Sequence, residues 1–137
     1  MSITRKNKIL NMEAHMEAGE ELDALMAEKV MGWERGKSIG KDVWCKGRNV
    51  ICYFHAWKPS TSILSAWEVV QKLAVEPFAW HIESLNLTNG RVVWWACYWG
   101  DGKAGEILDY SADAPTAPLA ICRTALLAVM EAQDDKG

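Results

Sequence analysis

The chain predicts an α+β fold, a three-layer α/β/α sandwich with helices against both faces of a mostly antiparallel five-stranded sheet. Three observations carry that expectation. Val92 to Trp99 (Val-Val-Trp-Trp-Ala-Cys-Tyr-Trp) contains no charged or amide side chain. Its residues alternate between the two faces of a strand, so Val93, Trp95, Cys97 and Trp99 need cover on one side and Val92, Trp94, Ala96 and Tyr98 on the other. Two stretches have helical apolar spacing, and a third, Leu119 to Met130, is apolar except at Arg123 and Thr124. Turn signals divide the rest into short strands, in the order α-β-β-α-β-β-β-α with three main helices.

The elements follow from the N-terminus. Residues 1–17 are charged and lack a sustained apolar stripe, which predicts a weakly ordered arm that Met12 and Met16 could anchor. A single domain then spans 18–133, and 134–137 is a solvated tail. Leu22, Leu25, Met26 and Val30 line one helix face, with acids leading and Lys29 trailing as the helix dipole favours; Gly32 ends the helix and Trp33 folds back on it. Gly36 to Gly40 reads as a loop without the spacing of a phosphate loop. Val43–Cys45 and Val50–Phe54 flank Lys46-Gly47-Arg48-Asn49 as a hairpin.

Ser60, Thr61 and Ser62 are three candidate N-caps for a helix with Ile63, Leu64, Trp67, Val70, Leu73 and Ala74 on its apolar stripe, stopped by Pro77. Phe78 to Leu87 is a strand whose alternation slips near Ser84, as at a bulge. Asn89-Gly90 turns the chain into the central strand, Gly100 to Lys103 turns it out, and Glu106 to Tyr110 is polar enough for a sheet edge. Asp113 or Thr116 caps the last helix, which its apolar surface places either between layers or at a subunit contact, so a homo-oligomer is expected.

Composition narrows the function. Half of the 137 residues are apolar, enough for a core without disulfides, and the net charge of −3 gives no electrostatic reason to expect duplex DNA or RNA or an anionic membrane as partner. No run approaches membrane-spanning length and the first residues are polar, which predicts a cytoplasmic protein. Cys45, Cys52, Cys97 and Cys122 form no Cys-x-x-Cys pair, and His15, His55 and His81 are scattered, so reduced structural thiols are expected and neither a metal nor a cofactor. Eight tryptophans stand against two phenylalanines and three tyrosines, an excess that either fills the core or lines a stacking cleft.

Three stretches together resemble the small tailed-phage and prophage proteins of the phage ABA sandwich domain family. They are Ala18-Gly-Glu-Glu-Leu-Asp-Ala-Leu-Met-Ala-Glu-Lys-Val-Met-Gly-Trp33, Pro59-Ser-Thr-Ser-Ile-Leu-Ser-Ala-Trp-Glu-Val-Val-Gln-Lys-Leu73 and Ala114 to Met130 (Ala-Pro-Thr-Ala-Pro-Leu-Ala-Ile-Cys-Arg-Thr-Ala-Leu-Leu-Ala-Val-Met). The resemblance implies helices against both faces of a sheet and a phage or prophage origin, hence the cytoplasm of a host bacterium. It implies no activity.

The candidate binding residues are Lys58, Ser60, Thr61 and Ser62 at a helix start, with Trp57, Trp94 and Arg123. Helix N–H groups, hydroxyls and an ammonium converge there as they do where helix N-termini hold phosphate or carboxylate. The plain alternative is a capped helix, and for Arg123 a pair with an acid such as Glu68 or Glu83. No catalytic motif is present. Two functions follow: a phage accessory protein, of an anti-defence kind, that sequesters a small anionic nucleotide-like ligand without turnover, or a module that inhibits a host protein or assembles with phage components through the apolar last helix.

Overall fold

The computed structural model describes residues 16–136; most of the arm expected over 1–17 therefore lies outside the described residues. Helix α1 (Glu20–Leu25) continues into wider π-helical turns over Met26–Met31. Glu20, Glu21 and Asp23 crowd its first turn, where unpaired N–H dipoles favour acids, and Leu22, Met26, Ala27 and Val30 are buried. Gly32, at φ 75°, adopts the left-handed cap, and Trp33 N–H donates back to Ala27 O at 2.9 Å.

A three-stranded antiparallel sheet follows, built from β1 (Glu34–Ser38), β2 (Lys41–Lys46) and β3 (Asn49–Tyr53). The β2–β3 hairpin is the one read from the sequence. Strand β1 corrects the loop expected over Gly36–Gly40. Its polar residues have no alternation to betray a strand, yet they pair in register from Glu34↔Cys45 to Ser38↔Lys41. The reversal is made by Ile39 and Gly40, both left-handed, and a Cβ on Gly36 would come within 2.6 Å of Cys45 Sγ, so any larger residue there would have to displace that side chain.

After a short 3-10 turn (Phe54–Ala56), α2 (Ile63–Leu73) buries Ala66, Val69 and Val70. Ile63, Leu64 and Trp67, expected on its inward stripe, are instead exposed. Strands β4 (Ala79–Asn86), β5 (Val92–Asp101) and β6 (Ile107–Ala114) make a second antiparallel sheet with β5 in the middle and β6 at an edge, as expected. Pairing of β4 with β5 is unbroken from Ala79↔Trp99 to Asn86↔Val92, so the bulge expected near Ser84 is absent. Leu85 keeps phase by lying on the face turned away from the core.

Helix α3 (Ala117–Lys136) extends past the start of the expected tail, and Thr116 Oγ1 accepts from Leu119 N–H at 3.4 Å as its cap. Leu119 to Ala128 is buried on every side. Strands β5 and β6 lie against one flank, and α2 with the π-helical turns lies against the other. The described chain thus has six strands in two sheets where five in one were expected. All three described helices gather on one face of β4–β6, because α3 itself requires cover from both sides. Trp94, Ala96 and Tyr98 point to that face, and Tyr98 Oη donates to Leu73 O at 2.7 Å. On the other parity Trp99 is 46% and Ile107 75% exposed, which corrects the expected helical layer on both faces.

The two polar side chains inside α3 have backbone partners. Thr124 Oγ1 donates to Ala96 O on β5 at 3.0 Å. Arg123, 8% exposed, donates from Nε to Met16 O (2.8 Å) and from Nη1 to Asp113 O (2.9 Å), with Glu17 at 4.0 Å. Glu17, then, is the acid beside it in place of Glu68 or Glu83. Replacing Arg123 with Met keeps the stem and removes both donors, leaving two carbonyls stranded, and a buried unsatisfied group costs about 1–3 kcal/mol. Urea denaturation of Arg123→Met should show a loss of about 3 kcal/mol, with Thr124→Val losing about 1 kcal/mol.

Candidate functional site

An open cleft of about 1200 Å³ lies between the first turn of α1, the β1–β3 sheet and the loop from Trp57 to Thr61. Its base is closed by aromatic packing. Trp57 is 3% exposed, stands edge-on to Trp33 at 4.6 Å, and donates its indole N–H to Asp23 O at 2.9 Å. Trp44 stacks on Phe54 at 4.5 Å, and the Arg35 guanidinium lies over both rings at 5.4 and 5.5 Å while reaching Glu28 at 3.6 Å. Tyr53 stacks on His55 at 5.5 Å, with Lys41 Nζ 5.7 Å from the tyrosine ring. These last two rings are the ones with exposed faces.

The loop before α2 has been tied down from within the fold. Thr61 and Ser62 N–H both donate to Lys58 O, Ser60 N–H donates to the Asp23 carboxylate at 2.8 Å, and Ser60 Oγ accepts from Gly19 N–H at 3.0 Å. The chain's own carboxylate thus stands where an anion was expected. Burial raises the Asp23 pKa above its ordinary range, and the bonds from Ser60 offset part of that. Ser62 takes the N-cap position of α2 without a side-chain capping bond. Lys58 and Thr61 reach the cleft rim, Trp57 forms its base and Ser60 lies beneath it. Arg123 and Trp94 lie elsewhere, one joined to Met16 and Asp113, the other packed against the main core.

Sequence reasoning missed the opposite wall. Arg35 lies just before the stretch read as a loop, Tyr53 and Phe54 read as the end of a hairpin strand, and His55 reads only as one of three scattered histidines; the fold brings them to one cleft with Lys58. The lining also carries Glu20, Glu21, Asp23, Glu28 and Asp42. A ligand must therefore satisfy carboxylates as well as cations.

Thiol chemistry is disfavoured at the cysteines whose surroundings shift them. Burial, the bond to Asp109 and the charge of that carboxylate push Cys97 up to about 12, burial and then Glu68 raise Cys52, and burial raises Cys122 well above its ordinary value. These thiols are protonated at neutral pH. Among the described residues, no three His, Cys, Asp or Glu side chains are grouped so as to hold a metal ion, and no helix is long and apolar enough to cross a membrane.

The Asp23–Ser60 contact has a testable sign. A carboxylate whose folded pKa is raised contributes stability that is present at low pH and lost as pH rises through that pKa. Asp23→Asn keeps the oxygen acceptor and removes the charge, so relative to the parent it should gain more stability at about pH 7 than at about pH 4 in urea titrations. Asp23→Ala, which strands Ser60 N–H, should lose about 2 kcal/mol.

All six strands, α2, the first half of α3 and the cleft residues from Ala24 onward fall within residues 24–126, the span that matches the family model for the phage ABA sandwich domain. Comparison with curated proteins and with solved structures returns no match. A family match over most of the chain, with its helices and strands in place, establishes that this chain belongs to the phage ABA sandwich domain family.

Proposed function

We propose that this phage-family protein is a binding protein that sequesters a small nucleotide-like anion, without turning it over, in the cleft between α1 and the β1–β3 sheet. The observation that carries the reading is the meeting of exposed stacked rings, Tyr53 and His55, with Arg35, Lys41 and Lys58 in one concavity. Rings of this kind stack on a base, and the cations take its phosphate. The carboxylates of α1 oppose a highly charged ligand but accept hydrogen bonds from base N–H groups, which favours a nucleobase carrying few phosphates. Tyr53 and His55 supply the stacking in place of the tryptophans, because Trp44 and Trp57 are buried and Trp94 lies in the core.

Withdrawal of a host signalling nucleotide in the bacterial cytoplasm is the use such a protein would have for a phage. The rival reading, a docking module acting through the last helix, would have to use the part beyond Ala128, since Leu119 to Ala128 is enclosed. Isothermal titration against linear and cyclic nucleotides should find at least one saturable ligand, recovered unchanged by chromatography. Lys58→Ala and Arg35→Ala should each weaken it about tenfold, the scale of one charge-assisted contact. Silence across the panel, or recovery of a converted ligand, overturns the proposal.

A further inference from the structure

Among the described residues, nothing covers the open face of β4–β6. Register places Trp95 and Trp99 of β5 on it, flanked by Leu85 of β4 and Ile107 of β6. Leu85, Trp99 and Ile107 are 45%, 46% and 75% exposed. A sheet face of this composition usually packs against another layer, and here the described residues provide none.

Its charge is one-sided. Glu83, Asp101, Asp109 and Asp113 share the face, and within the paired strands no Lys or Arg does, in a chain whose whole net charge is −3. Within the paired strands the imidazole of His81 is the one basic side chain on this face, 3.6 Å from Glu83. Width gives a further constraint. Three strands at about 4.8 Å spacing set the outer pair about 10 Å apart, close to the 10–12 Å diameter of one α-helix.

We infer that this face is a docking surface for a basic amphipathic helix of another protein, which supplies the missing third layer. The apolar stripe of such a helix covers Trp95, Trp99 and Leu85, and its Lys and Arg side chains meet Glu83, Asp109 and Asp113. Arginine suits the site twice, since it pairs with carboxylates and stacks on indole. A second copy of this chain is a poor occupant, because a two-fold contact would oppose like carboxylates. The inference stands apart from the cleft, which lies against a different sheet.

A synthetic helical peptide with a leucine stripe flanked by lysine and arginine serves as the probe, and the same peptide with glutamate at the basic positions as control. Titration monitored by tryptophan fluorescence and calorimetry should show one saturable site for the basic peptide and none for the acidic one. Glu83→Gln with Asp113→Asn should weaken it about tenfold, Trp99→Ala likewise, with circular dichroism unchanged, and Glu20→Gln with Glu21→Gln in the cleft should leave it intact. Absence of binding, equal binding of the acidic peptide, or binding undiminished in both face variants overturns the inference. So does a dimer in sedimentation that Trp99→Ala dissolves, which would assign the face to a second copy.

Discussion

Everything in this fold is arranged around an α-helix that is apolar on all sides. A helix with one apolar stripe is content on the surface of a sheet; α3, buried from Leu119 to Ala128, has to be enclosed. Strands β5 and β6 supply one wall, and α2 with the π-helical continuation of α1 supplies the other. The polar exceptions obey the same constraint. Thr124 bonds the β5 backbone, and Arg123 reaches the end of β6 and Met16, so neither buries an unsatisfied group. Because the described helices are gathered round α3, none of them covers the far side of the sheet.

The elements were legible where the pattern was strong, and their grouping was not. Apolar residues on both parities of β5 correctly marked a central strand, and Gly32, Asn89-Gly90 and the β2–β3 turn announced themselves chemically. Periodicity says that a side chain wants cover without saying what provides it. Trp95 stands edge-on to His81 at 5.8 Å and Cys97 donates to Asp109 at 3.0 Å, so neighbours within the sheet shelter part of a face that was assigned to helices. Strand β1 escaped notice because its residues are polar and show no alternation, so that only its pairing with β2 reveals it.

The candidate site shows the same division. Ser60, Thr61 and Ser62 were recognisable as a helix start, which is a local property. That Asp23 accepts from Ser60 across a separation of 37 residues is not local, and it turns an anticipated anion site into an internal contact. The groups left for a ligand, Arg35, Lys41, Tyr53 and His55, come from the β1–β3 sheet opposite and the turn that follows it. Two surfaces result, of different character: a concave one mixing cations, acids and rings, and a flat one with acids and indoles. A small ligand suits the first, and an extended partner the second.

Amide hydrogen exchange along α3 tests the organising claim most directly. If the helix is enclosed between the sheet and the other helices, the amides from Leu119 to Ala128 belong to the slowest class in the protein and exchange only through global unfolding. Exchange of those amides by local opening, at rates like those of the exposed first turn of α2, would contradict the enclosure of α3 and with it the open face of the sheet.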